Sequence, residues 1–289
     1  DLLINLGSRF DDRLASNPNE FAPNAKVVHI DIDESEINKV IPTTLGIVAD
    51  CKKVLEALVT EHQSHATYKE WVDHCLDNKS KHPFKYKEAN DTFCRPQEAI
   101  EYIGKITNGE AIVTTDVGQH QMWSAQFYPF KHHSQWVTSG GLGTMGFGIP
   151  SAIGAQLAAP DKTVVCFVGD GGFQMTNQEM ALLPEYHLNV KIVLINNGTL
   201  GMVKQWQDKF FNQRFSHSVF NDQPDFIKMA EAYGVKSFLI DHPNKLKAQL
   251  DEAFNYEGPA LIEVRISPAE PVNPMIPSGK ANHEMEGLE

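Results

Sequence analysis

Residues 163–199 read TVVCFVGDGGFQMTNQEMALLPEYHLNVKIVLINNGT. Two continuous apolar runs, Thr163 to Val168 and Val190 to Ile195, have the length and β-branched content of strands buried on both faces. Between them Phe173 to Tyr186 reads as a helix. The first strand ends on Asp170 and the second on Asn197, so two strand ends deliver one oxygen ligand each to the same edge of a sheet, with 26 residues (171 to 196) between them.

The residue types suit a hard cation. Magnesium takes oxygen ligands in near-octahedral order and is held by one or two carboxylates plus substrate phosphates; one Asp, one Asn amide oxygen and a nearby backbone carbonyl leave positions for a diphosphate. Gly171 and Gly172 allow a sharp turn and let backbone N–H groups approach an anion, and the helix that follows presents its N-terminus to negative charge. Gly-Asp-Gly alone, or Asn-Asn-Gly alone, reads more readily as a turn. Both together, each after a buried-type strand, make a cation–diphosphate site the better reading.

The alternation extends outward. Helix 96–107, strand 111–115, helix 119–127, strand 135–138 and helix 146–159 precede the opening stretch; a helix from Asp225 to Tyr233, strand 235–240, helix 244–255 and strand 260–266 follow it. Helices alternating with continuous apolar strands predict an α/β fold, a parallel sheet flanked by helices. Residues 1–62 show strands at Leu2 to Leu6 and Lys26 to Ile32, a helical turn from Glu34 and a helix capped by Asp50 through Val59, an incomplete α/β unit. Residues 63–92 are polar, with a helix at 67–78, and form a linker; 93–268 is the diphosphate-binding domain and 269–289 a Pro-containing tail that packs over a surface or a partner. The chain opens on a buried-type strand without Met and reads as the C-terminal part of a longer polypeptide.

A formal charge of −12 without a basic run argues against nucleic acid or an anionic membrane surface as partner. Cys51, Cys75, Cys94 and Cys166 are far apart and lack zinc-type spacing, which points to reduced thiols and the cytoplasm. No apolar run approaches a membrane span and no signal peptide is visible.

Gly141-Leu142-Gly143-Thr144-Met145-Gly146 matches G-x-G-x-x-G, which by itself suggests a dinucleotide site. The downstream Asp161 falls in an Ala-Pro-Asp-Lys turn, however, and the end of the next strand is occupied by Asp170, so these glycines read as close-approach backbone for a different ligand.

Residues 168–207, VGDGGFQMTNQEMALLPEYHLNVKIVLINNGTLGMVKQWQ, resemble the catalytic subunits of the acetohydroxyacid (acetolactate) synthases, thiamine diphosphate enzymes. The likeness continues through VGQHQMW (117–123), SGGLGTMGFGIPSAIGAQ (139–156), GSRFDDR (7–13) and the terminal MIPSGKANHEMEGLE, weakening over 62–92. The resemblance implies Asp170 and Asn197 as side-chain ligands of Mg2+ with the Thr199 carbonyl, and Gln119 and His120 as diphosphate contacts. It implies that the Gly143 carbonyl accepts from the cofactor's amino group and that Met145 wedges between its rings. Gly171, Gly172, Met175, Leu200, Gly201 and Met202 would line the pocket. Trp206 would select 2-ketobutyrate as second substrate; an aromatic wall discriminates a methylene by about 1–3 kcal/mol. Gly7, Arg9, Asp31 and Asp50 would contact FAD, and Asp12 and Arg13 would face the substrate channel.

The same residues have blander readings. A lone His after a turn is more often a cap, Trp206 reads also as a surface or interface residue, Met145 as a core methionine, and the charges of residues 9–13 as a solvated loop. The resemblance further implies condensation of pyruvate with pyruvate or 2-ketobutyrate for branched-chain amino acids, a homodimer or tetramer, and a small regulatory subunit. The Glu that activates the cofactor in that family has no counterpart here, so this chain alone is expected to be inactive. Other thiamine enzymes of the pyruvate oxidase or keto-acid decarboxylase type, and a non-catalytic cofactor-binding module, are the alternatives.

Overall fold

The computed structural model describes residues 2–61, 67–87 and 92–287. The chain divides into two compact units: 1–84 together with 273–289, and 85–272. Residues 63–66 and 88–91 of the expected linker, and residue 62 before it, lie outside the described residues.

In the first unit, β1 (Leu2–Leu6), β2 (Lys26–Asp31) and β3 (Leu45–Val48) form a parallel sheet in the order β1-β2-β3. Helices α1 (Cys51–Glu61) and α2 (Lys69–Lys81) follow. Asp50 caps α1 as its position predicts, its Oδ1 accepting from Lys52 N at 2.8 Å and Lys53 N at 3.3 Å. The strand β3 was not visible in the sequence pattern. The core is small: Phe10, Val27 and Ile41, with Leu3 and Phe21 packed against them. The tail belongs to this unit, where Gly279 N donates to Ser16 Oγ at 2.8 Å and Ala281 is buried.

The second unit opens with α3 (Pro96–Ile106), β4 (Ile112–Thr115), α4 (Gln119–Phe127), β5 (Trp136–Thr138) and α5 (Gly148–Ala158). β6 (Val164–Gly169), α6 (Asp170–Thr176), α7 (Leu182–Glu185), β7 (Val190–Asn196) and α8 (Gly201–Phe210) make its centre. α9 (Phe226–Ala232), β8 (Lys236–Ile240), α10 (Leu246–Asn255) and β9 (Ala260–Arg265) complete it. All six strands pair in parallel, in the order β5-β4-β6-β7-β9-β8.

The run Val164 to Val168 is apolar throughout because each face of the sheet has its own core. Val165 and Phe167 point to one side with Ile100, Ile103 and Trp123; Val164, Cys166 and Val168 point to the other with Ile149, Phe173 and Phe226. A side-chain period of two divides one strand between two helix layers, which rewards Val, Ile and Phe at every position.

The expected helix 173–186 is corrected in two ways. It begins at Asp170, directly on the strand end, and it breaks into a 3₁₀ turn at Asn177–Ala181 before α7. Asn177 Nδ2 donates back to the Gln174 carbonyl at 3.0 Å, a local bond that competes with the helical ladder, and Pro184 brings no N–H to α7. No helix among the described residues is long and apolar enough to cross a membrane.

Candidate functional site

From β4 the chain passes to β5 on one side, and from β6 it passes to β7 on the other. Adjacent strands whose connections diverge leave a crevice outside their carboxyl ends, where open α/β sheets bind ligands. A cleft of about 180 Å³ occurs there. Its walls come from the turn after β4, the turn after β6, the loop and helix start after β7, and the loop before α5.

The cleft brings together Gln119, His120, Gly143, Met145, Asp170, Gly171, Gly172, Asn197, Thr199, Leu200, Gly201 and Met202. Met175, 52 % exposed, and Trp206 are not on its walls; Trp206 packs edge-on against Phe210, with ring centroids 5.4 Å apart. Val117, Gly118, Trp123, Gly169, Ile195 and Val203 line the cleft although sequence reasoning passed over them. Most carry no reactive group and so gave no signal. Trp123 did give one, since it follows Gln119 by four residues and shares its helix face.

Asp170 is 2 % exposed. Its Oδ2 accepts from Gln223 Nε2 at 2.6 Å and its Oδ1 from Gly171 N at 3.1 Å. Burial pushes its carboxyl up to about 6, and these hydrogen bonds only partly oppose that. No Lys or Arg pairs with it among the described residues. The carboxylate is therefore desolvated without a cationic partner, which a bound cation would provide.

Asn197 Oδ1 accepts from Thr199 N at 3.1 Å and Thr199 Oγ1 at 3.0 Å, and its Nδ2 donates to Gln119 Oε1 at 3.1 Å. Gln119 Nε2 in turn donates to Gln205 Oε1 at 2.7 Å and to the Glu270 carbonyl at 3.1 Å. Both ends of the Gln119 amide are thus engaged by protein, so what its side chain contributes here is the orientation of Asn197. A Cβ on Gly201 would fall 2.0 Å from Gln119 Oε1 and 2.5 Å from Asn197 Nδ2; only glycine lets α8 begin against this pair.

His120 is 6 % exposed, and its Nε2 has no partner among the described residues. Burial lowers it to about 4 against an opposing hydrogen bond with the Asp116 backbone, and an anion at Nε2 would counter that shift by favouring the protonated, donating ring. A buried, unmatched ring nitrogen on a cleft wall is a group shaped for a ligand. Behind the wall, Asp116 is fully buried; its Oδ1 accepts from Gly146 N at 2.7 Å, tying down the loop that carries Gly143 and Met145. Burial raises the Asp116 carboxyl, opposed by the backbone N–H groups of Val117, Gly146 and Phe147.

The residues present fit a divalent cation with a diphosphate better than a metal caged by protein. Among the described residues no three His, Cys, Asp or Glu side chains converge on one point, so a cation at Asp170 would complete its shell from neutral amide and carbonyl oxygens, phosphate or water. Helices α4 and α8 start at the cleft, and their free N–H groups favour an anion.

In the first unit, Gly7 and Asp50 follow β1 and β3 and Asp31 is the last residue of β2, at the carboxyl ends of three adjacent parallel strands. Asp31 Oδ1 accepts from Asp33 N at 2.9 Å, Asp50 is occupied in capping, Arg9 lies 3.3 Å from the Asp11 carboxylate, and Arg13 is exposed.

Comparison with known proteins agrees with this geometry. Residues 116–264 match the thiamine pyrophosphate enzyme C-terminal TPP binding domain, and residues 1–58 match the central domain of the same enzymes. The chain is 53 % identical over 288 residues to the acetolactate synthase large subunit of Lactococcus lactis, covering 100 % of this chain and 50 % of that protein. It is 41 % identical to the acetolactate synthase isozyme 2 large subunit of Escherichia coli, covering 99 % of this chain and 51 % of the relative. It is 42 % identical to chloroplastic acetolactate synthase 1 of Nicotiana tabacum, covering 97 % of this chain and 44 % of the relative. The chain spans about half the length of the curated relatives it matches. With the family's TPP-binding domain matching β6, β7 and the turns and loops that wall the cleft, the chain belongs to the thiamine pyrophosphate enzymes.

Proposed function

We propose that this chain is the cofactor-binding part of an acetolactate synthase, and that the cleft between β4 and β6 holds thiamine diphosphate through Mg2+. The observation that carries the reading is the buried, cation-less carboxylate of Asp170 beside the fixed amide of Asn197, in a cleft that also presents the unmatched Nε2 of His120. Asp170, Asn197 and the Thr199 carbonyl hold the metal. His120 and the helix starts at Gln119 and Gly201 face the diphosphate, while Gly143 and Met145, fixed through Asp116, support the rings with Leu200 and Met202.

Thiamine diphosphate, when bound, supplies the electron sink that decarboxylation of a 2-keto acid requires. The protein's own part is to bind, orient and keep water from the reacting face. The substrates are pyruvate, and pyruvate or 2-ketobutyrate as acceptor, and Trp206, on α8 outside the cleft walls, is assigned the preference for the larger one; the names of the relatives support the synthase over other thiamine enzymes. FAD is assigned to the strand ends at Gly7, Arg9, Asp31 and Asp50, with Arg13 toward the substrate channel. A homodimer or tetramer, a small regulatory subunit and a cytoplasmic setting complete the reading.

Calorimetry with thiamine diphosphate and Mg2+ tests the site. Wild type should bind in a Mg2+-dependent manner and Asp170→Ala should lose that binding. Equal binding by both proteins would overturn the assignment.

A further inference from the structure

The segment after α8 returns to the metal loop. Leu200 N donates to the Ser218 carbonyl at 2.8 Å and Phe220 N to the Gly198 carbonyl at 3.0 Å, with an antiparallel bridge between Thr199 and Val219. Gln207 on α8 fixes the same segment, accepting from Ser218 Oγ at 2.5 Å. Three residues past this staple, Gln223 reaches the carboxylate of Asp170, Nε2 to Oδ2 at 2.6 Å.

We infer that Gln223 is a positioning residue for the cation: it holds Asp170 so that one carboxylate oxygen is saturated by an amide donor and the other is presented to the metal. The inference rests on the reading of Asp170 as a magnesium ligand. Its physical basis is that a carboxylate free to rotate must lose that freedom on binding, whereas one already held by an outer donor does not; removal of such outer partners costs about 10–100-fold in metal affinity. Gln223 suits this role by chemistry. Its amide donates without adding charge, so the cation remains the only positive partner of Asp170, and its loop is anchored at residues 198–200, which include Thr199 and directly follow Asn197.

The test uses the full chain and three variants, Gln223→Met, Gln223→Leu and Asp170→Ala, titrated with Mg2+ at fixed thiamine diphosphate and followed by calorimetry. Melting temperatures are recorded without metal. Gln223→Met, close in volume but without a donor, should raise the half-saturating Mg2+ concentration by about 10-fold or more while leaving cofactor affinity at saturating Mg2+ unchanged. A merely structural role would lower the melting temperature and leave the Mg2+ midpoint in place, which overturns the inference. If Leu unfolds the chain, the Met variant alone decides. If Asp170→Ala keeps a wild-type Mg2+ dependence, it is the magnesium assignment that fails; if Asp170→Ala abolishes it and both Gln223 variants match wild type, the positioning role fails.

Discussion

Replacing Gly172 by alanine should destabilise the larger unit through a residue that never meets the ligand. A Cβ at Gly172 would lie 1.5 Å from Asp116 Oδ2 and 2.6 Å from its Cγ. Asp116 is fully buried and its other oxygen is committed to Gly146 N at 2.7 Å, so the carboxylate yields only by giving up that bond. Overpacking costs about 1–3 kcal/mol, and a lost hydrogen bond to a buried charged group about 1.5–3 kcal/mol. Exchanging a helical Gly for Ala returns about 1 kcal/mol. The net is about 1.5–5 kcal/mol, which for a domain of this size lowers the melting temperature by roughly 3–20 °C. Tryptophan fluorescence reads this transition well, since Trp123, Trp136 and Trp206 lie in the unit 85–272 and Trp71 in the other. Asp116→Ala removes the obstacle, so the double variant should be more stable than the sum of the single effects by about 1–3 kcal/mol. A Gly172→Ala protein as stable as wild type, or a cycle additive to within about 0.5 kcal/mol, would refute the steric account.

Three further expectations concern other sites. Gly201→Ala places a methyl between Gln119 Oε1 and Asn197 Nδ2 and should weaken Mg2+-dependent cofactor binding about 10-fold or more; an unchanged calorimetric midpoint counts against it. Gln135 joins four backbone groups, accepting from Lys131 N and His132 N and donating to the Gly109 and Ala111 carbonyls, so Gln135→Leu should lower unfolding free energy in urea by about 2 kcal/mol or more. Lys191 is buried in β7 with its ammonium bonded to the Tyr256 and Gly258 carbonyls at 2.6 and 2.8 Å, and burial pushes it down to about 8. Unfolded lysine titrates near about 10.4, so the folded form loses its proton first, and the cost of burying the charge, constant below the folded value, is relieved as pH rises through the window between the two. The melting temperature of wild type minus that of Lys191→Met should therefore grow between about pH 7 and pH 9.5; a constant difference would exclude Lys191 as the source.

What the sequence disclosed follows from where each signal originates. β6 and β7 announced themselves because both faces demand apolar residues, and Asp170 and Asn197 because a polar residue ending such a run has few local reasons to be there. α8 escaped notice since none of its residues is fully buried, leaving a mixed pattern in GMVKQWQDKF. β3 is only Leu45–Val48, too short to show its period. The partners Gln223 and Asp116 were illegible for a different reason: each acquires its role through a neighbour 53 or 30 residues away, Asp170 or Gly146, and nothing in local composition marks such a pairing. Gln119 is legible only through the resemblance, as a diphosphate contact, and the engagement of its side chain by Gln205, Glu270 and Asn197 emerges only once three separate segments meet.

The glycines around the cleft divide its surface into two classes of position for anyone altering the protein. Where backbone is the wall, as at Gly201 against Gln119, at Gly172 against Asp116 and at Gly169, whose Cβ would come within 2.9 Å of His120, a side chain enters only by displacing the one it meets. Val117, Leu200, Met202 and Val203 reach the same space with flexible or branched apolar groups instead. A library confined to Val117 and Val203 would vary the shape of the cleft without touching Leu200 and Met202, the proposed ring contacts, whereas randomising the glycines would displace the very side chains they pack against.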